Sequence, residues 1–278
     1  MTTAVAQPSR TAMLAAVARG VHRNDSAEPL VFDDPLALPF VGPGWQQMYD
    51  MVCSLLPPEV LIQAIGLIVG RSRYAEDRLA AGAFEQYVIL GAGLDSFAWR
   101  RPSGLEHVRV FEVDQPATQD WKRARAGAGP TYVPCDLETE ALPDALDAAG
   151  FDWTARSLFS CLGLTIYLGL GSIESLLRTV AACPAGSEIV VSYSPPEDHV
   201  DPVGRVLRDA LSPVASAAGE DYRTLVSPDD AAAMVRRAGL AVADHPTTPE
   251  LNARYFRNRA DGLAAPSSER LLAATVSG

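Results

Sequence analysis

The sequence predicts an α/β fold with a mostly parallel sheet and helices on both faces. Gln86–Leu90 (QYVIL) runs directly into Gly91-Ala92-Gly93, a short apolar and β-branched run opening into a glycine turn. That is how a buried parallel strand enters a ligand loop. A second apolar run, Val108–Val113, ends on Asp114, 21 positions after Gly93, close to the roughly 20-residue interval of nucleotide-binding βαβ units. Strand-like and helix-like stretches then keep alternating to the C-terminus, the pattern of a parallel sheet covered on both sides.

The glycine turn and the acid divide the work of holding a nucleoside. Glycines admit backbone close to a ligand that a Cβ would exclude, and an acid at the tip of the next strand can accept both ribose hydroxyl protons. Ser96 stands where a dinucleotide fingerprint would carry its third glycine, which favours an adenosyl ligand without phosphates. An ordinary strand-to-helix turn stays open as the plainer alternative. Glu112 and Asp114 share one side of their strand by the two-residue period. Asp114 lies nearer the strand end and is the expected ribose ligand, with Glu112 a supporting acceptor. Asp95 is placed to cap the helix after the turn.

Taken in order, residues 1–9 are expected to fray and Thr11–Arg19 to form a helix stopped by Gly20. Residues 29–35 (PLVFDDP) read as turn chemistry carrying two acids. Trp45–Val69 has helical spacing broken by Pro57-Pro58, hence two helices. Arg71–Ala81 is a further helix ending at Gly82. Residues 1–82 thus form a helical cap over a sheet carried by residues 83–278, within one domain. Beyond Asp114, Pro116–Ala126 is helical, Thr131–Val133 a strand, Leu142–Ala149 a helix and Ser157–Leu162 a strand. Ser172 is expected to cap a helix reaching Ala182. Glu188–Ser192 is the fifth strand, residues 203–218 and 228–238 are helices, and Leu240–Asp244 with Leu271–Val276 could form a terminal antiparallel pair.

Composition narrows the partners. In 278 residues, 48% are hydrophobic and 21% charged, as in ordinary globular proteins. A net charge of −11 argues against nucleic acid and against anionic membranes, since phosphate binding needs a basic face. The four cysteines, Cys53, Cys135, Cys161 and Cys183, show no metal or disulfide spacing. There is no signal-peptide pattern, and the longest apolar stretch, Val60–Val69, is too short to span a bilayer. A reduced, cytoplasmic protein acting on a small molecule is the expectation.

In such sheets the ligand lies beyond the carboxyl ends of the strands. Four strand exits therefore converge on one crevice: Gly91–Gly93, Glu112–Asp114 with Gln115 following, Cys135–Leu137 and Cys161–Leu164.

The order VILGAGLDSFAWR, VFEVDQP, an Asp-Leu pair and FSCLGLTIYL, preceded by TAMLAAVAR, FDDPLA and RSRYAEDRL, resembles the leucine carboxyl methyltransferase-like family of S-adenosylmethionine-dependent enzymes. It is most similar to the bacterial branch that includes enzymes acting on polyketide-type natural products. The resemblance covers most of the chain. It implies the Rossmann-like class I methyltransferase sheet of seven strands with an N-terminal helical cap, and S-adenosyl-L-methionine as cofactor. Carried over by position, Arg71 or Arg73 pairs with the methionine carboxylate, and the two are not separated at this point. Gly91, Ala92 and Gly93 pass beneath the cofactor, Asp114 holds the ribose, and Asp136 and Leu137 flank the adenine. Cys161 and Leu162 close the fourth strand exit. Many relatives carry Glu where this chain has Leu162, near the cofactor amino group, so the ammonium must find backbone carbonyls or another acid.

The implied chemistry is in-line transfer of a methyl group from sulfonium to an acceptor oxygen. A carboxylate acceptor needs no base, whereas a hydroxyl benefits from one. Tyr167, Tyr193 and His199 follow strands and are the candidates to touch the acceptor, with core packing or solvent exposure as the alternative for each. Two other functions stay open: the same fold holding the cofactor for a non-methylating purpose, and a nicotinamide-dependent oxidoreductase, which Ser96 disfavours.

Overall fold

The computed structural model describes residues 8–278. Seven strands, β1 (Gln86–Leu90), β2 (Arg109–Asp114), β3 (Thr131–Pro134), β4 (Ser157–Cys161), β5 (Glu188–Tyr193), β6 (Leu240–Asp244) and β7 (Arg270–Val276), form one sheet. Its order is β3-β2-β1-β4-β5-β7-β6. The pairs among β1 to β5 are parallel, while β7 runs antiparallel to both β5 and β6. The mostly parallel, seven-stranded α/β fold is therefore present.

Strand alternation sorts the core into two layers. Tyr87 and Ile89 of β1 point into one cluster, and Val88 and Leu90 into the other. The first cluster is completed by four N-terminal helices: α1 (Arg10–Asp25), α2 (Ala37–Val41), α3 (Trp45–Leu55) and α4 (Pro58–Ala81). Val17, Phe40, Val69 and Leu79 are among their buried contributions. After α5 (Phe97–Arg100) and α6 (Pro116–Ala126), the opposite layer draws Leu146 from α7 (Leu142–Ala148) and Leu177 from α8 (Leu170–Ala181). Then come α9 (Pro202–Ser216), α10 (Pro228–Arg237), whose Val235 joins the second layer, and α11 (Thr248–Tyr255). A small third cluster unites Leu56, Val60 of α4 and Leu207 of α9. None of the described helices is long and apolar enough to cross a membrane.

Several local expectations shift. The expectation for residues 1–9 falls outside the described residues except at Pro8 and Ser9, and Ser9 caps α1 by accepting the Ala12 N–H at 3.1 Å. Gly20 does not stop α1, which continues to Asp25, because the bare position lets Leu38 pack against the helix. Arg71–Ala81 is not a separate helix but the end of α4. Nothing after Pro58 removes a backbone donor, so the helix runs on. Ser172 does not cap α8. The helix starts after Gly169, whose N–H reaches Glu138 Oε1 at 2.7 Å. The helix α11 was not anticipated, although Thr247 and Glu250 form a capping box that T-x-x-E spells out.

Candidate active site

The carboxyl ends of β1, β2, β3 and β4 open into one cavity of about 1000 Å³. Its floor is the β1 turn, where Gly91 and Gly93 take φ of 63° and 50°, a left-handed region that a side chain resists. A Cβ on Gly93 would also lie 2.8 Å from that of Ala12, so α1 rests directly on the turn.

Asp114 closes the β2 edge. Its Oδ2 accepts the Gly93 N–H at 2.5 Å and its Oδ1 the Gln115 N–H at 2.7 Å. Burial raises the carboxyl above its ordinary pKa, and those two backbone donors pull it back only in part. Gln115, Asp136 and Leu137 also line the cavity. Asp136 Oδ1 accepts the Glu138 N–H at 3.0 Å, which fixes the exit of β3. Leu162 faces the cavity, whereas Cys161 is fully buried and packs into the opposite layer. Asp95 borders the cavity and takes the Phe97 N–H at 2.8 Å from one position before the N-cap, which is Ser96 and not Asp95.

Two sequence candidates separate cleanly. Arg71 lines the cavity and pairs with Glu269 at 2.7 Å. Arg73 lies outside the lining and pairs with Asp77 at 2.6 Å on the exposed face of α4. Residues two apart on a helix project in different directions, so only one of them faces the cavity.

Glu112 does not reach the cavity. It is buried against Lys122 at 2.6 Å, with the Lys122 ammonium over the Trp99 ring. Burial pushes its carboxyl up to about 7 despite that partner. The two-residue period set Glu112 beside Asp114, but one step deeper in the strand is already beneath α6 and not at the edge.

Of the candidate catalytic residues, Tyr167 and Tyr193 line the cavity. Burial raises both phenols, Tyr193 to about 12, so each stays neutral near pH 7. The Tyr193 hydroxyl is engaged with His245 Nε2 at 2.7 Å. His199 is not part of the cavity. Its side chain is 43% exposed, with Asp198 at 3.9 Å, because Glu197–His199 form a short surface turn beyond β5.

The sequence motifs meet in a buried polar network that no single motif announces. Asp34 Oδ2 takes Arg19 Nε at 2.8 Å, while Oδ1 takes the Ser96 hydroxyl at 2.6 Å. Arg19 Nη2 donates to Leu94 O at 2.7 Å and Arg100 Nε to Ser96 Oγ at 2.7 Å. Arg100 pairs in turn with Glu76 of α4. Burial works against the Asp34 carboxylate, but Arg19, Arg100 and Ser96 together hold it below its ordinary pKa. This network pins α1 and α4 to the glycine turn. Ser96, read as a missing glycine, is a structural tie to the cap.

Sequence reasoning missed Glu269, Arg208 and the start of α1. Arg10, Thr11 and Ala12 line the cavity, with Thr11 N–H on Glu220 Oε2 at 3.2 Å. Away from the sheet the walls are apolar: Val52 of α3, Leu61 and Leu67 of α4, and Leu207 and Leu211 of α9. The cavity suits S-adenosylmethionine. It has a bare-peptide floor, a half-buried acid at the β2 tip, an arginine and a volume of about 1000 Å³ that leaves room for a second molecule.

Comparison with known proteins agrees. The sequence model of the leucine carboxyl methyltransferase family matches residues 12–181. The chain is 30% identical over 295 residues to a Bacillus subtilis (strain 168) protein named as a candidate S-adenosyl-L-methionine-dependent methyltransferase, YktD, covering 93% of this chain and 95% of that one. A Mycolicibacterium paratuberculosis protein with the same description is 31% identical over 280 residues, covering 89% and 86%. In fold, the chain is similar to a DUF574 family protein from Streptomyces avermitilis, with a TM-score of 0.63 at 16% identity over 97% and 98% of the two chains. A Thermobifida fusca protein titled as a candidate methyltransferase gives a TM-score of 0.59 at 16% identity over 98% and 96%. The chain belongs to the leucine carboxyl methyltransferase family of S-adenosylmethionine-dependent enzymes.

Proposed function

We propose that this protein is a cytoplasmic O-methyltransferase that methylates a small, largely apolar natural product, by in-line transfer onto a carboxyl oxygen in preference to a hydroxyl. One observation carries the choice of acceptor. Arg208 of α9 lines the cavity beside the apolar Leu207 and Leu211 of the same helix and makes no ion pair among the described residues. Its Nη2 donates to Pro195 O at 2.8 Å and Ser268 O at 3.2 Å, which holds it in place and leaves the rest of the guanidinium for an anion. A half-buried cation in a cavity with apolar walls recruits a carboxylate, which arginine binds with charge-assisted hydrogen bonds. The lining supports this reading, since among the described residues it holds no histidine or lysine to serve as base, and its tyrosines stay protonated.

When bound, S-adenosylmethionine supplies an electrophilic methyl group on a sulfonium. The chain's own part is to bind and orient. Gly91–Gly93 form the floor, Asp114 accepts from the ribose, Asp136 and Leu137 flank the base, and Arg71 meets the carboxylate. The helices of the cap exclude water from the acceptor side.

The test is mass spectrometry of apolar carboxylic acids and phenols incubated with enzyme and cofactor. A gain of one methylene mass as a methyl ester is expected. Arg208→Met should raise the acceptor KM at least tenfold without changing S-adenosylhomocysteine binding. Methylation at nitrogen or carbon would refute the assignment, and cofactor binding without methyl transfer to any acceptor would favour a non-methylating role.

A further inference from the structure

The cavity holds an ion pair whose position follows from the reversed strand. Because β7 is antiparallel, its first residues return to the edge where the parallel strands end. Arg270 is paired with Tyr193, the last residue of β5. Glu269 therefore sits at the ligand edge of the sheet although it lies near the C-terminus. Arg71 Nη1 contacts both its oxygens, at 3.0 and 2.7 Å. Both side chains line the cavity, yet they are only 14% and 12% exposed.

The rest of the Arg71 guanidinium lies against Gly163, where any Cβ would overlap it. Gly163 follows β4 at φ 67°, and its N–H is fixed by Ser192 Oγ at 2.6 Å. The neighbouring Leu164 packs against Gly91 of the floor. The pair thus stands beside the glycine turn, between the exits of β4 and β5.

We propose that the Arg71–Glu269 pair is the seat of the cofactor's amino-acid head, with Glu269 accepting the ammonium protons while Arg71 takes the carboxylate. This rests on the cofactor reading above and extends it to a residue from the opposite end of the chain. The α-ammonium and α-carboxylate sit on one carbon, so the acid that meets the ammonium must lie within a few ångströms of the arginine that meets the carboxylate. Glu269 is bonded to that arginine. The other acids of the lining hold other partners: Asp95 the Phe97 N–H, Asp114 the Gly93 N–H, Asp136 the Glu138 N–H, Glu138 the Gly169 N–H and Arg223, Glu220 the Thr11 N–H, and Asp221 the Ser216 hydroxyl. Leu162, beside Gly163, offers no charge. An opposed ion pair also matches a zwitterion charge for charge, so binding leaves neither Arg71 nor Glu269 without a counter-ion.

Titration calorimetry with three ligands tests this: S-adenosylhomocysteine, its analogue lacking the amino group, and 5′-methylthioadenosine, which lacks the amino-acid head altogether. Wild-type protein is expected to bind S-adenosylhomocysteine at least tenfold more tightly than the des-amino analogue. Glu269→Gln should erase that preference and leave methylthioadenosine affinity within twofold. Equal wild-type affinity for S-adenosylhomocysteine and the des-amino analogue overturns the proposal without needing any variant to fold. An undiminished preference in a folded Glu269→Gln protein overturns it too. Failure of wild type to bind any of the three refutes the cofactor reading itself, and the proposal with it, whereas methylthioadenosine binding without an amino-group preference refutes only the role of Glu269.

Discussion

The two sides of the cavity are built by different means. The sheet side is made of short contiguous segments whose backbone is dictated locally: a glycine turn in the left-handed region and an acid as the last residue of a strand. The cap side is made of α1, α3, α4 and α9, segments far apart in the chain, joined by apolar packing and by the Arg19–Asp34–Ser96 network. Backbone conformation sets the sheet side, and it tolerates little change. Side-chain volume sets the cap side, which can be reshaped without altering the glycine turn. The difference separates what is common to a cofactor from what is particular to a substrate.

The sharpest way to break this division is at the network joining the two sides. Asp34→Ala leaves Arg19 buried without its partner, and loss of one member of a buried pair costs about 3–5 kcal/mol. Denaturant unfolding should show that loss, with cofactor affinity falling too as the turn loses its tie to the cap.

Acid should weaken the cap next. His22 of α1 is fully buried, with Nε2 accepting the Val31 N–H at 3.1 Å. Burial, helped by Arg259, lowers its pKa from 6.5 to about 4. A pKa depressed in the folded state means that the neutral ring stabilises the fold fully above pH 6.5 and loses that contribution as pH falls towards 4. The linkage reaches at most about 3 kcal/mol at the acid end. The stability difference between wild type and His22→Gln should shrink over that window; a difference independent of pH would remove His22 from the account.

On the sheet side, Asp114→Ala should weaken S-adenosylhomocysteine binding by about 1–3 kcal/mol in calorimetry, through loss of the ribose acceptor and of the Gly93 contact. Unchanged affinity would count against the ribose assignment. Leu67→Ala on the cap side should leave that affinity intact and weaken an apolar acceptor by about 1 kcal/mol, read as a higher KM. The smallest effect belongs to Arg73→Met, which should change cofactor affinity less than twofold, since its partner Asp77 lies on the exposed face of α4.

Legibility in the sequence follows the same division. The β1 turn, the Asp114 tip and the strand–helix alternation could be read because each is a property of a few adjacent residues. Glu112 and Asp114 could be ranked by position, yet the burial of Glu112 under Lys122 depended on where α6 packs. His199 looked like a crevice residue because it follows a strand, but the turn carrying it faces solvent. Even Leu271–Val276 carried a usable signal. A stretch with no charged residue suits an interior strand, and placing it beside β5 would have brought Glu269 to the cavity.

By itself, then, the sequence determined the parallel sheet, the glycine floor and the acid at the second strand tip, because backbone sterics and side-chain periodicity act over a handful of neighbours. Tertiary structure alone decided that Arg71 and not Arg73 faces the cavity, that Ser96 ties the cap to the floor, and that Arg208 and Glu269 join the cavity. Those outcomes depend on how helices rotate against the sheet and on one strand running backwards, and such long-range geometry is fixed only when the whole core packs.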